Sequence, residues 1–297
     1  MPDAAPARHP AARPIALALA LALVVLAGAC GTGQTVNGGP TTPSGPSGPE
    51  GFPTGADEVV VQVHDCCGFV PFSVALSAVP PLTIFGDGTT VVAANRSVSD
   101  RFPALVRQRR GHLSRPEIAG LLDLARRSGL LGDEVDFGSP QVTDLPSTAV
   151  VLVVDGREVV QSAYALREEF EDDLPADARA ARQRLRAFLD EAERVVGQPS
   201  QEYRPERISV FAQPSESSDG TDPKGAARPW PFADPAAWPE GERSGSYRCR
   251  TFAGSDAVAV VAAAAPAEHG DRWLAGAERW DLVFRPLLPD EVDACAG

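Results

Sequence analysis

The chain has 297 residues and carries 40 Asp and Glu against 27 Lys and Arg, a formal charge of −13. That length supports one large domain or two small ones, each with a real core. The acidic balance gives no electrostatic reason to bind nucleic acid, and it suits the chain poorly to lying flat on an anionic membrane.

Met1 to Pro14 holds Arg8 and Arg13 with one acid, Asp3, and Ile15 to Leu26 (IALALALALVVL) is unbroken apolar sequence. A positive segment, a short apolar segment and small residues before a cut describe a secretory signal peptide. The run is shorter than the roughly 20 residues a transmembrane helix needs. Leu26-Ala27-Gly28-Ala29-Cys30 resembles the bacterial lipobox, with Ala27 where a branched residue is usual. The resemblance implies that residues 1–29 are a lipoprotein signal peptide and that Cys30 is acylated. The protein would then be lipid-anchored on the extracytoplasmic face of the bacterial cell membrane. An ordinary signal peptide with a chance cysteine is the alternative. Residues 31 to 56 are almost all Gly, Pro, Thr and Ser, so 30–56 reads as a lipidated cysteine and a disordered tether.

Glu58 to His64 (EVVVQVH) predicts a strand, and Leu82 to Phe85 with Thr89 to Ala94 predicts a hairpin around Gly86-Asp87-Gly88. Arg107, Arg109, Arg110 and Arg115 read as a charged loop before a helix. That helix opens at Ser114-Arg115-Pro116-Glu117, a capping box with proline in the first turn. Ile118, Leu121, Leu122 and Ala125 give it one apolar face, and Gly129 stops it. Thr148 to Val154 and Glu158 to Tyr164 form a second hairpin around Asp155-Gly156, a two-residue turn of type I′. Glu168, Glu169, Glu171, Asp172 and Asp173 read as a solvated acidic loop. Asp177 to Val196 predicts a helix with Ala181, Leu185, Phe188, Ala192 and Val195 on its apolar face, ended by Gly197. Strands and helices in this order predict an α+β module over 57–198, two principal helices on a mainly antiparallel sheet.

Residues 199–297 predict a smaller, irregular α/β module. Arg207 to Ala212, Tyr247 to Phe252 and Trp280 to Phe284 read as strands, and Ser255 reads as the cap of a short helix ending before Pro266. Between the first two strands lies 213–246, a long polar, Pro-rich loop.

The series CCGFVP (Cys66, Gly68, Pro71), Gly86-Asp87-Gly88 and Thr143-Asp144 resembles a domain of unknown function in secreted bacterial proteins, with the pattern C-x-G-x-C-P, then GDG, then TD. Val70 stands where the pattern has its second cysteine. The mature chain, with Arg285 to Pro289 (RPLLP) near its end, is also similar to uncharacterised actinobacterial lipoproteins. Neither resemblance implies an activity.

With Cys30 taken by lipid, Cys66, Cys67, Cys249 and Cys295 remain in an oxidising compartment, which favours disulfides. Neighbouring Cys66 and Cys67 have Cα atoms about 3.8 Å apart, below the usual disulfide range. Cys249 and Cys295 share the last module and are the favoured pair. Cys66 and Cys67 would then be free, vicinal or joined to another chain, and bridges between the modules are the alternative. His64, Cys66 and Cys67 are too crowded for ordinary zinc-ligand spacing, and as a Cys–His nucleophile they lack an orienting group. Trp230, Phe232 and Trp238 stand among prolines in the long loop, where they could form an interaction surface or fold back on the core. No cofactor or metal is expected. These readings imply a non-catalytic binding or interaction module, whose partner beyond the membrane is an envelope protein or a glycan. The alternatives are a secreted hydrolase with an unrecognised site and a solute-binding protein.

Overall fold

The computed structural model describes residues 51–66, 68–94, 103–132, 135–215, 227–240 and 246–295, all within one compact unit. The expected signal peptide, Cys30, the tether up to Glu50, and Cys67 lie outside the described residues.

The first half contributes β1 (Val59–Cys66), α1 (Phe72–Leu76), β2 (Leu82–Phe85), β3 (Thr89–Ala93), β4 (Gln108–His112), α2 (Arg115–Arg127), β5 (Ser147–Val154), β6 (Arg157–Tyr164), α3 (Ala176–Val196) and β7 (Gln201–Glu202). Seven strands form one antiparallel sheet in the order β6-β5-β1-β2-β3-β4-β7, so β1 joins the two hairpins. Alternation along β1 decides its two faces. Val61 and Val63, with Leu82, Ile84, Val150 and Leu152, face Leu121 and Leu122 of α2 and Leu185 and Phe188 of α3. Gln62, paired with Thr83, points to the opposite face. At the start of α2 the Glu117 carboxylate accepts the Ser114 N–H at 2.7 Å, which ties down one of the free amides of the first turn. Asp155 and Gly156 both have positive φ, 53° and 70°, as a type I′ turn requires.

The second half contributes β8 (Arg207–Pro214), β9 (Arg228–Pro229), β10 (Arg248–Ala253), α4 (Gly254–Ala264), β11 (Arg272–Ala275) and β12 (Glu278–Leu287). Its sheet runs β10-β8-β12-β11-β9, antiparallel except for the short β11–β9 pair. Ile208, Val210 and Ala212 of β8 turn to an aromatic core beneath α4, and Phe211 turns the other way, toward Leu76, Tyr247 and Cys249. The fold is therefore α+β, with two principal helices on the larger antiparallel sheet and a smaller C-terminal sheet beside it. No helix among the described residues is long and apolar enough to cross a membrane.

Several expectations need correction. The tether reading runs too far, because Gly51–Ala56 belong to the fold. Phe52 is fully buried in the first core, with the Arg115 guanidinium 4.4 Å over its ring. The arginine-rich loop is in large part strand β4, which pairs with β3 along its length, with Gln108 buried, Arg109 half-buried and Arg110 exposed. Ser255 lies inside the first turn of α4, and Ala253 holds the N-cap position. The acidic loop is not wholly solvated, since Glu171 is buried and bonded to Arg182 and Arg186.

Candidate interaction surface

From Cys66 to Gly86 the chain carries no charged residue. Its last part, Pro80 to Gly86, is buried, as its composition requires, but the turn after β1 is not. Phe69 is 88% exposed, Val70 49%, Phe72 50% and Val74 38%. With about 200 Å² for a phenylalanine, they leave on the order of 400 Å² of apolar surface in water, the size at which a patch on a monomer is often functional. The backbone beneath is fixed. Phe69 N–H donates to Asp144 O at 3.2 Å, and Val74 and Ala75 N–H both donate to Pro71 O at the start of α1. A Cβ at Gly68 would meet Pro146 N at 3.2 Å, so a larger residue there would have to push that neighbour back by a few tenths of an ångström. α1 is held at its last residue, Leu76, against the Phe211 cluster and at its first, Phe72, whose ring lies 6.0 Å from that of Tyr247. The result is an apolar projection tied down by backbone hydrogen bonds.

Cys249 and Cys295 form a disulfide with Cα atoms 5.3 Å apart, which fastens the segment after β12 to β10. Cys66 is also disulfide-bonded, and its partner is neither of these two. Cys66 is therefore not the free thiol that the sequence left open.

The aromatic residues of the long loop lie elsewhere than an exposed surface. Trp230 and Trp238 are 6% and 4% exposed, and Phe232 is partly buried against the same core. Trp230 stacks edge-on to Trp273 at 5.8 Å and to Phe252 at 6.0 Å, and Phe232 lies 4.8 Å from Phe252. The Trp230 N–H donates to Leu274 O, which pairs the loop with the sheet through β9 and carries the indole inward. Trp230, Phe232 and Trp238 as an exposed surface is thus corrected: they complete the core of the second sheet, where α4 offers only alanines and valines. Residues 216–226 and 241–245 of that loop lie outside the described residues.

Sequence reasoning missed a polar seam where the C-terminal segment crosses the first sheet. His64 Nε2 lies 2.7 Å from Gln62 Oε1, and Gln62 Nε2 donates to Thr83 Oγ1 at 3.1 Å and to Asp290 Oδ2 at 3.3 Å. Burial, and then the Glu291 charge, push the Asp290 carboxyl up to about 6, while burial pushes the His64 imidazole below its usual value. Beside the seam opens a groove of about 690 Å³ with Phe85, Val91 and Leu288 among its apolar lining and Arg110, Glu202 and Arg204 among its charged lining. The lining carries both charge signs and selects no ligand charge. The clue in the sequence was a histidine and a glutamine alternating with valines in β1, a polar stripe where a solvent face or a second layer must lie.

Among the described residues no group of three His, Cys, Asp or Glu side chains could hold a metal ion. Comparison with protein-family models, with curated proteins and with solved structures finds no match for this chain.

Proposed function

We propose that this chain is a lipid-anchored cell-envelope protein, of the kind found among uncharacterised actinobacterial lipoproteins, whose folded part is a non-catalytic binding module. The observation that supports the binding role is the uncharged projection of Phe69, Val70, Phe72 and Val74, exposed while the other aromatic clusters among the described residues are buried. Exposed apolar surface is costly in water and is retained where a partner covers it. A patch of phenyl and valine side chains, with Ser73 supplying its one hydroxyl, suits a protein partner better than a glycan, which needs more polar groups to meet its own. The lipobox-like AGAC before a Gly/Pro/Ser/Thr segment supports the anchor.

Two measurements test this reading. Cys30→Ala should move the protein from the membrane fraction to the medium or leave it unprocessed. Membrane fractionation and processing as in the wild type would overturn the anchor. A zero-length carboxyl–amine cross-linker applied to intact cells should give discrete adducts that Phe69→Ser lacks while its melting temperature stays unchanged. Adducts indifferent to that substitution would remove the loop as the contact surface.

A further inference from the structure

The polarity of the folded part adds something to this reading and rests on it. The described chain begins at Gly51, whose carbonyl accepts the Asp155 N–H at the β5–β6 turn. The apolar projection lies at the other end of the same strand, because Cys66 pairs with Ser147 where β5 begins. The seven steps from Ser147 to Val154 at about 3.4 Å each put some 24 Å between the two ends. A lipid tether entering at Gly51 therefore joins the fold at one pole, and Phe69 lies at the other.

The charges beside the projection are also informative. Asp144, whose carbonyl holds the Phe69 N–H, is exposed, and so is Asp65, one residue before Cys66. Asp281 lies close enough to the Tyr247 ring, on which Phe72 rests, to raise the tyrosine further after burial has done so. A bilayer with anionic headgroups repels such a border, because surface-seeking loops need cations there. A protein pocket with an apolar floor and a basic rim complements it.

We infer that the Phe69–Val74 projection docks, at the pole away from the tether, into an apolar pocket of an envelope protein whose rim carries lysines or arginines. Phe69 is the anchor that fills the pocket, and Asp65 and Asp144 face the basic rim.

The test places a photo-reactive residue at the tip, Phe69→p-benzoylphenylalanine, in the full-length chain in intact cells, with Val258→p-benzoylphenylalanine on the exposed face of α4 as the control position. The inference expects one protein adduct from position 69, absent from position 258, whose cross-linked peptide lies within a few residues of lysine or arginine. Adding Asp65→Lys and Asp144→Lys should lower its yield at least ten-fold, and raising salt from 0.1 to 0.5 M should lower it several-fold. Flotation with vesicles of equal parts phosphatidylcholine and phosphatidylglycerol should leave the soluble Cys30→Ala chain at the bottom of the gradient. Adducts to phospholipid, or flotation that needs Phe69, would overturn the protein pocket while keeping the loop as a contact surface. An adduct between two copies of this chain would overturn it in favour of self-association. A protein adduct indifferent to charge reversal would overturn the basic rim. No adduct above that of position 258 would overturn the binding module itself.

Discussion

Arg182 has no exposed surface, and every arm of its guanidinium has a partner inside the first module. Nε donates to Glu171 Oε1 at 2.7 Å, Nη1 to Phe137 O at 3.2 Å, and Nη2 to Tyr164 O and Ala165 O. Ala165 has φ 49°, a strained value for a residue with a Cβ, and this hydrogen bond helps hold it. Arg182→Ala leaves a buried anion and three carbonyls short of donors. It should lower stability by roughly 3–5 kcal/mol, whereas Arg167→Ala, which breaks an exposed 3.8 Å pair, should cost about 0–1 kcal/mol. Urea titration of both variants decides it. Burial works to raise the Glu171 carboxyl, but the Arg186 and Arg182 hydrogen bonds outweigh it and hold the group below the usual range. Its contribution is therefore present above the unfolded value and is lost as pH falls through the folded one.

Asp290 behaves in the opposite sense. Its folded value is raised to about 6, so the folded state holds a proton that the unfolded chain releases near 4. Stability from this group is full below about 4 and is lost as pH rises through about 6. Asp290→Asn, which keeps the acceptor for Gln62, should raise stability at pH 7.5 by roughly 1–3 kcal/mol and change it little at pH 4. His64 runs the other way over the same window. Its lowered value means that stability falls as pH drops below the ordinary histidine range, with Glu291, Arg285 and Asp65 acting on the ring after burial. Melting curves of Asp290→Asn at the two pH values separate the groups.

At the scale of elements, the aromatic loop gives the clearest test. Trp230 meets four other rings of the second core within about 6 Å, those of Phe232, Trp273, Phe252 and Trp238 being 5.3, 5.8, 6.0 and 6.1 Å away. Trp230→Ala removes all of these contacts and should destabilise by roughly 3–5 kcal/mol, in contrast to Phe69→Ser, which leaves no cavity. A thermal melt of each variant is enough.

The same loop shows where the sequence stops being legible. Both hairpins, α2 and α3 follow from patterns of period 2 and 3.6 with their turn and cap residues, because those signals are local. Trp230 and Trp238 carry no such period, and their burial depends on β9 pairing with β11 and on a helix, α4, whose small side chains leave space above the sheet. Phe52 reads as tether in the sequence because five Gly and Pro residues surround it, and only Arg115 and the far end of the first core give it a place. Strand β4 is Gln-Arg-Arg-Gly-His, without a β-branched residue, and pairing with β3 overrides its composition. Phe69 was hidden for the opposite reason. A run of 21 uncharged residues looks like core, and only the backbone turn at Gly68 shows which part projects.

For the molecule as a whole, the two sheets are joined by a small apolar contact of Phe85, Val91 and Leu288, by the Gln62–Asp290 bond and by Tyr203 donating to Leu287 O at 3.2 Å. Pro103 bridges to Glu268 and Ala104 N–H donates to Ala267 O, which adds a second tie. With these ties intact the modules should unfold in one transition. Leu288→Ala should cost roughly 2–5 kcal/mol and split the calorimetric trace in two, whereas a single narrowed peak would mean that the other ties suffice.

The strand order has a consequence for the time course of folding. β1, the first strand of the described chain, lies inside the first sheet, and its second neighbour, β5, begins 81 positions after Cys66 at Ser147. β12, the last strand, is the middle strand of the second sheet, between β8 and β11. Neither sheet can close early: the first waits for β5, and the second waits for the end of the chain. Until then Val59 to Val63 keeps an open edge of valines, the kind of template on which chains join wrongly. Refolding from denaturant should accordingly be slow and sensitive to protein concentration, and a chaperone that shields β1 should speed recovery more than one that shields α2 or α3.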